Sequence, residues 1–403
     1  MSHGPETLLR QARLLLPDLV RLRRRIHRLP EIGLALPHTQ RAIIEALGGL
    51  DLQIFTGKQL SSVITVLEGR SPGRTVLLRA DMDALKIREA TGLDYASEID
   101  GVMHACGHDA HTAMLVGAAR LLASHRADME GRIIFAFQPG EEEYAGARLM
   151  IEEGLLDRYG VPDAAFAIHI TPRHSSGEVF SRPGPVMAGA GAFRIVIKGR
   201  AGHPAEPHHA VDPIPVASEL VLALQTYVTR RVKAFEPAVV TVTAVQAGSD
   251  DLGAIPETAT LTGTIRAVSE ETRLQLFSAA RDLATNIASA HGAEAEVIVE
   301  PGYPPVVNNP DVVEAVGEVS LGLLGKDQFR LLPTPIMPSE DFSYILQRVP
   351  GAMAFLGARP DNQGTVADVH SPQMILNEDA MAVGVALHTA VALRLLDPLI
   401  LHT

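Results

Sequence analysis

Val102 to Ala119 reads VMHACGHDAHTAMLVGAA, and eight consecutive positions within it hold His104, Cys106, His108, Asp109 and His111. Thiolate and imidazole both bind zinc and its first-row neighbours, and a Cys-x-His pair in a loop at the mouth of a helix is free to converge on one ion. Two other readings stand beside this one: a helix start with Asp109 near its cap and merely solvated histidines, or Cys106 as a nucleophile paired with a histidine. A second cluster, IIFAFQPGEEEYAGA, sets Glu141, Glu142 and Glu143 directly after an apolar run. Adjacent like charges persist where they are fully solvated or face a cation. At a strand end, one such carboxylate can bind a metal while its neighbour serves as acid and base toward the water that the metal activates.

Single residues add thinner signals. His169 lies near the end of the apolar run AAFAIHI and His370 in the loop ADVHSPQM; a hydrogen-bonded core histidine and a plain surface histidine are the alternatives. Asp81 and Asp83 in RADMDAL follow another apolar run, at the edge where open α/β sheets place their ligand sites. AGHPAEPHHAVDPI presents His203, His208 and His209 among glycine and proline.

These residues need elements to hold them. VITVLEG and TVLLRADMDAL, between Ser62 and Leu85, read as two strands, and GRIIFAFQPGEE and AAFAIHI as two more, with a helix over His111 to His125. Strands separated by helical patterns predict an α/β sheet with helices on its faces. From about Ser181 the texture changes to alternating, β-branched segments (AFRIVIKGRAGH, AVVTVTAVQAGS, ATLTGTIRAVS) and two long helical patterns, Asp212 to Arg231 and Glu270 to His291. Pro- and Gly-rich stretches bracket this region, which predicts an inserted α+β domain over 183–300 in a discontinuous domain made of 1–182 and 301–403.

The 403 residues, 46% of them hydrophobic, are enough for two buried cores, and a formal net charge of -12 argues against a broad nucleic-acid footprint. One cysteine excludes an intramolecular disulfide and points to a reducing compartment. The N-terminal Leu/Arg pattern predicts an amphipathic helix rather than a secretory signal, and no window matches a membrane span. Cytoplasmic location, no membrane and no nucleic acid are therefore the expectations.

In chain order RRIHRLPEIG, RADMDAL, MHACGHDAHTAM, FQPGEE, AIHITP, AGHPAEPH, DPI, IPETATLTGTIR, PSEDFSY, FLG and VHSP resemble the motifs of the metal-dependent aminoacylase and carboxypeptidase family, nearly end to end. The likeness is greatest to the branch holding hippurate hydrolase, bacterial N-acyl-amino-acid amidohydrolases, N-acetyl-diaminopimelate deacetylase and plant auxin-amino-acid-conjugate hydrolases. It implies an α/β fold with a zinc-peptidase-like catalytic domain, a mixed sheet with helices on both faces, and an inserted α+β lid and dimerisation domain. It implies Cys106, His108, Glu142, His169 and His370 as ligands of two divalent ions per subunit, zinc, manganese, cobalt or nickel. Glu141 matches the general base, and Asp81 an aspartate of the catalytic centre that orients the metal shell rather than bonding substrate. His203 matches a lid histidine that reaches across a dimer to the substrate's carbonyl oxygen. Arg266, in GTIR, is a candidate for binding a substrate carboxylate, against the alternative of a surface arginine at a strand end.

The implied reaction is hydrolysis of the amide of an N-acyl-amino acid, with a dipeptidase or carboxypeptidase as the alternative and a catalytically silent binding protein as a third possibility. The partners expected are a small-molecule substrate and a second copy of the chain, as a homodimer or higher homo-oligomer, because alternating strands in the inserted domain need an edge partner. The sequence departs from the branch pattern at three places: Glu143, Tyr144 and Ala145 replace a glycine run, Lys86 replaces a proline, and an asparagine is replaced near Gly253.

Overall fold

The computed structural model describes residues 5–250, 253–361, 366–398 and 400. The chain divides into two compact units: Met1–Val186, Val307–Thr334 and Asp341–Thr403 form the first, and Met187–Val306 with Pro335–Glu340 the second.

The first unit is built on an eight-stranded mixed sheet. Its strands, numbered along the chain, are β1 (Gln53–Thr56), β2 (Val63–Glu68), β3 (Ser71–Asp81), β4 (Glu130–Gln138), β5 (Ala164–Ser175), β6 (Val179–Ser181), β13 (Phe329–Leu331) and β14 (Gly351–Arg359). They lie in the order β1-β2-β4-β3-β5-β14-β6-β13, with β4, β3, β5 and β14 mutually parallel. Thr75–Asp81 of β3 and Ile133–Gln138 of β4 are buried residue after residue. Strands covered on both faces carry continuous apolar runs rather than alternation, which is why TVLL and IIFAF stood out in the sequence. The charged and amide residues in those runs, Arg79, Asp81 and Gln138, are correspondingly buried.

Helices α1 (Pro5–Arg28), α3 (His108–Ser124), α7 (Pro310–Leu324) and α9 (Ala380–Leu395) pack on one another, and α3 and α9 also pack on the sheet. Along α1, Leu8, Ala12, Leu19, Leu22 and Ile26 are buried on one face at helical spacing, as the amphipathic pattern requires. Asn309 starts α7 by accepting from the N–H groups of Asp311 and Val312, with Pro310 in the first turn. Shorter helices are α2 (Pro37–Ala46), α4 (Gly146–Glu152), which follows the glutamate loop, and α8 (Ser343–Leu346). Short strands β7 (Gly184–Met187) and β12 (Val306–Asn308) occur where the chain passes from one unit to the other.

The second unit is an antiparallel sheet, β8 (Gly189–Lys198), β9 (Ala238–Ala247), β10 (Thr258–Ala267) and β11 (Glu294–Glu300), in the order β11-β8-β10-β9. Helices α5 (Pro213–Arg231) and α6 (Glu270–Ala290) cover one face. Burial along β10 alternates, with Ala259, Leu261 and Ile265 facing the helices together with Phe193, Ile195 and Ile197 of β8. Asp212 and Ser269 cap the two helices by accepting from Ile214 and Thr272 N–H.

The unit boundaries differ from those expected in sequence, 183–300. The second unit runs from Met187 to Val306 and also takes Pro335–Glu340. The physical reason is hydrogen bonding to the backbone carbonyls of this segment: Ala188 N–H donates to Ile336 O at 2.9 Å, and the Arg266 guanidinium donates to Met337 O at 3.4 Å. Nothing in the composition of PTPIMPSE signals such partners.

Candidate metal centre

The predicted donor residues converge at the carboxyl ends of the parallel strands, the edge where open α/β sheets bind ligands. Asp81 ends β3, Gln138 ends β4, and His169 lies two residues beyond Ala167, the last β5 residue paired with β3. Gly107 lets Cys106 and His108 flank a sharp turn into α3. Its φ is +84°, and a Cβ there would sit 2.6 Å from Ile170 Cγ2, so a side chain would force Cys106 away from β5. His370 adopts φ +64° and its N–H donates to Ala105 O at 2.8 Å, which docks the C-terminal loop on the cysteine segment. A left-handed conformation costs a non-glycine residue about 1–2 kcal/mol, and neighbouring contacts must hold it.

Cys106 Sγ lies 3.5 Å from His169 Nε2. Glu142 Oε1 is 3.2 Å from His370 Nε2 and 4.0 Å from His108 Nε2. Among the sets of donor atoms that fall within 4.8 Å of one another are Cys106 with His108 and His169, Cys106 with Glu142 and His370, His108 with Glu141 and Glu142, and Asp81 with His108 and His111. His108 is buried among carboxylates, its Nδ1 3.5 Å from Asp83 Oδ1 and its Nε2 3.7 Å from Asp81 Oδ2, and Glu142 Oε1 faces both His108 and His370. Thiolate, imidazole and carboxylate groups brought this close in a buried site are stabilised by a cation, a proton or a metal ion. One thiolate, three imidazoles and a carboxylate form a donor set suited to zinc or a first-row neighbour, and the residues fit a metal centre.

Hydrogen bonds decide which histidine nitrogen points inward. His169 Nδ1 donates to Ile170 O at 2.8 Å, leaving the Nε2 lone pair toward Cys106, and burial pushes its pKa down to about 3, so the ring is neutral. The cluster is otherwise proton-rich without metal. Hydrogen bonds to Cys106 and then Glu142 push His370 up to about 10, and burial pushes the Cys106 thiol up. Burial works against a charged His108, yet Asp81 and then Cys106 hold its pKa well above the usual histidine range.

His111 is held differently: its Nδ1 lies 2.5 Å from Asp81 Oδ1 and its Nε2 accepts from Ile170 N–H at 2.8 Å. With both nitrogens committed to protein partners, His111 is scaffold, tying α3 to β5. Asp81 spends its other oxygen on Arg79 Nη1 at 2.7 Å and lies 3.7 Å from His108 Nε2. It therefore stands behind His108 and His111, where outer carboxylates stand in metal sites. Asp81→Asn, which keeps the shape and removes the charge, is expected to weaken metal affinity by about 10- to 100-fold with the fold retained. Chelator competition measures this, and unchanged affinity would remove Asp81 from the support.

Asp83 receives the backbone N–H groups of Glu141 and Glu142, both at 3.0 Å, so the two glutamates are held from below. Asp109 is buried and accepts from Arg23 Nε at 2.9 Å and His27 Nδ1 at 2.8 Å, anchoring the first turn of α3 to α1. The structure thus gathers Cys106, His108, Glu141, Glu142, His169, His370 and Asp81. His203 and Arg266 belong to the second unit. His203 is exposed, its Nδ1 accepting from Ala205 N–H at 3.1 Å, and Arg266 is half-buried on β10. Sequence reasoning missed the supporting roles of His111, Asp83, Arg79, Gln138, Asp341, Arg23 and His27. A signal existed for Arg79, since a charge in a run buried on both faces must find an opposite partner.

Residues 77–394 match the family described as peptidase family M20/M25/M40. Thermostable carboxypeptidase 1 of Saccharolobus solfataricus is 36% identical over 380 residues, covering 93% of this chain and 95% of the relative. N-acetylcysteine deacetylase of Bacillus subtilis is 37% identical over 366 residues, covering 91% and 93%. The crystal structure of the Bacillus subtilis YXEP protein, described as a dinuclear metal binding peptidase from the M20 family, superposes with a TM-score of 0.81 at 34% identity, covering 95% of this chain and 99% of that one.

Proposed function

The chain belongs to peptidase family M20/M25/M40, and from that premise we propose that it is a metal-dependent amidohydrolase cleaving the amide bond of N-acyl-amino acids. The observation that carries this reading is the convergence of Cys106, His108, Glu142, His169 and His370 in overlapping sets of donor atoms each within 4.8 Å, with the Glu141 carboxylate alongside. Two divalent ions, when bound, supply Lewis acidity that polarises the amide carbonyl and acidifies water.

The chain's own residues do the rest. Cys106, His108, Glu142, His169 and His370 hold the ions. Glu141, buried and with its backbone fixed by Asp83, takes the proton from the attacking water and returns it to the leaving amine nitrogen. Asp81 and His111 keep α3 and β5 in register. The second unit serves as lid and dimerisation domain, with His203 donating to the carbonyl oxygen across a homodimer and Arg266 binding the substrate carboxylate. Zinc suits the thiolate, with manganese, cobalt or nickel as alternatives, and the enzyme works in the reducing cytoplasm, where Cys106 stays a thiol. Sedimentation equilibrium reads the oligomeric state, and a monomer at working concentration would remove the role given to His203.

A dipeptidase or carboxypeptidase activity is the second reading, favoured by the Saccharolobus relative's name; one centre can hydrolyse either amide and the pocket chooses. Hippurate, N-acetyl-amino acids and dipeptides assayed side by side are expected to show turnover of the N-acyl-amino acids. Release of amino acids from dipeptides alone would overturn the aminoacylase reading.

A further inference from the structure

The motif PSEDFSY has no part in the chemistry so far, yet its Asp341 is fully buried and heavily bonded. Asp341 Oδ1 accepts from Gln138 Nε2 at 2.7 Å and from Arg79 Nη2 at 3.0 Å. Its Oδ2 accepts from Gln138 Nε2 at 2.9 Å and from the Ala147 N–H, 194 positions away in sequence, at 2.9 Å. Gln138 is the last residue of β4 and Ala147 lies in the first turn of α4, so one carboxylate holds both ends of the loop that carries Glu141 and Glu142. The loop is closed at its neck as well: Gly146 N–H donates to Gly140 O at 2.9 Å, and a Cβ on Gly146 would lie 1.7 Å from Pro139 O.

Arg79 connects this closure to the rest of the centre. Its Nε donates to Gln138 Oε1 at 2.8 Å and its Nη1 to Asp81 Oδ2 at 2.7 Å. Asp81 in turn holds His111, which accepts from the β5 backbone next to His169. The ligands on α3 and β5 and the glutamate loop are therefore joined through a single buried guanidinium between two buried carboxylates. Such a group is costly to desolvate and holds its place only with every partner present. Asp341 also approaches the site itself, its carboxylate lying within 4.8 Å of that of Glu141.

We infer that Asp341 is a positioning residue for the hydrolysis: with Arg79 and Gln138 it sets where the Glu141–Glu142 loop stands relative to the ligands on α3 and β5. The inference rests on the amidohydrolase reading. A loop tied at both ends has few ways to drift, and a misplacement of about 1 Å at a reacting group costs on the order of 10²-fold in rate.

The test compares wild type with Asp341→Asn and Gln138→Leu, each saturated with metal, on an N-acyl-amino acid that wild type hydrolyses. Asn offers one acceptor and a misplaced donor to Gln138 and Ala147, and Leu removes the tie at one end only, so it stands in if Asp341→Asn does not fold. The expected result in metal-saturated Asp341→Asn is kcat down by about 100-fold with KM within about threefold of wild type, and a metal dissociation constant raised by about 10-fold or more because Glu142 rides on the same loop. In a Glu141→Gln background, Asp341→Asn is expected to add less than about a threefold further loss, because a residue acting through Glu141 is non-additive with it. In the metal-free proteins, amide exchange over residues 138–147 is expected to rise by about tenfold or more in both variants. A kcat within threefold of wild type in both variants, or an undiminished loss in the Glu141→Gln background, overturns the inference. Wild type inactive on every amide would overturn the amidohydrolase reading alone, and unchanged exchange over 138–147 would then refute the loop clamp separately.

Discussion

Glu141→Ala is expected to lower kcat by about 10³-fold, the range that one positioned general acid and base supplies, while leaving metal content near that of wild type. The separation of the two effects follows from the geometry. The other donors, Cys106, His108, Glu142, His169 and His370, stay in place, and the backbone N–H groups of residues 141 and 142 still reach Asp83. Only a carboxylate is removed, one whose oxygens lie within 4.8 Å of donor atoms on His108 and Glu142. Turnover and metal content measured on the same preparation provide the check. A variant that keeps wild-type kcat would show that another group carries the proton, and one that loses its metal would make Glu141 a ligand.

Metal removal is the second large effect. Dialysis against a chelator is expected to reduce activity by at least about 10³-fold, and a divalent ion added back to restore it, because the Lewis acidity of the reaction comes from the metals. The pH dependence has a definite sign. Without metal, His370 has a pKa raised to about 10 and His108 and Cys106 are raised as well, so at neutral pH these groups hold protons that a metal must displace. A raised pKa means stronger proton competition as pH falls. Metal affinity should therefore fall steadily as pH drops from about 9 to 6, which titration against a chelating indicator at several pH values records. Affinity flat across that window would contradict a site whose ligands bind protons when empty. The same measurements separate the ligand role of Cys106 from nucleophilic attack. A nucleophile would lose activity on alkylation and be indifferent to chelator.

Much of the fold was legible because burial leaves a periodic trace. TVLLRAD and IIFAFQ read as strands from continuous apolar runs and are covered on both faces, whereas the alternating segments of β8 and β10 are covered on one, because the two kinds of burial select different patterns. The ends were less legible. Helix α3 begins at His108 rather than His111, since a left-handed glycine, and not a capping side chain, starts it. Strand β5 continues to Ser175, past its apolar run, because β14 pairs with it there. Pro335–Glu340 joined the second unit through its backbone carbonyls, which accept from Ala188 N–H and the Arg266 side chain.

The sequence by itself determined which donors exist and that they are dense: Cys106 beside His104, His108 and His111, and paired glutamates after a strand. It could not sort the histidines, because ligation depends on where a lone pair points, and that is set by groups distant along the chain. Tertiary structure turned His108 toward Cys106 and Glu142 and bound His111 to Asp81 and Ile170. It left His104 buried with its pKa lowered by desolvation to about 3. It also separated Asp81, which orients histidines, from Asp83, which holds the glutamate backbone, although the two stand one residue apart with the same side chain. Asp81 ends β3 and Asp83 lies two residues beyond it, and what each carboxylate does is decided by the segments that fold against it, α3 for one and the glutamate loop for the other.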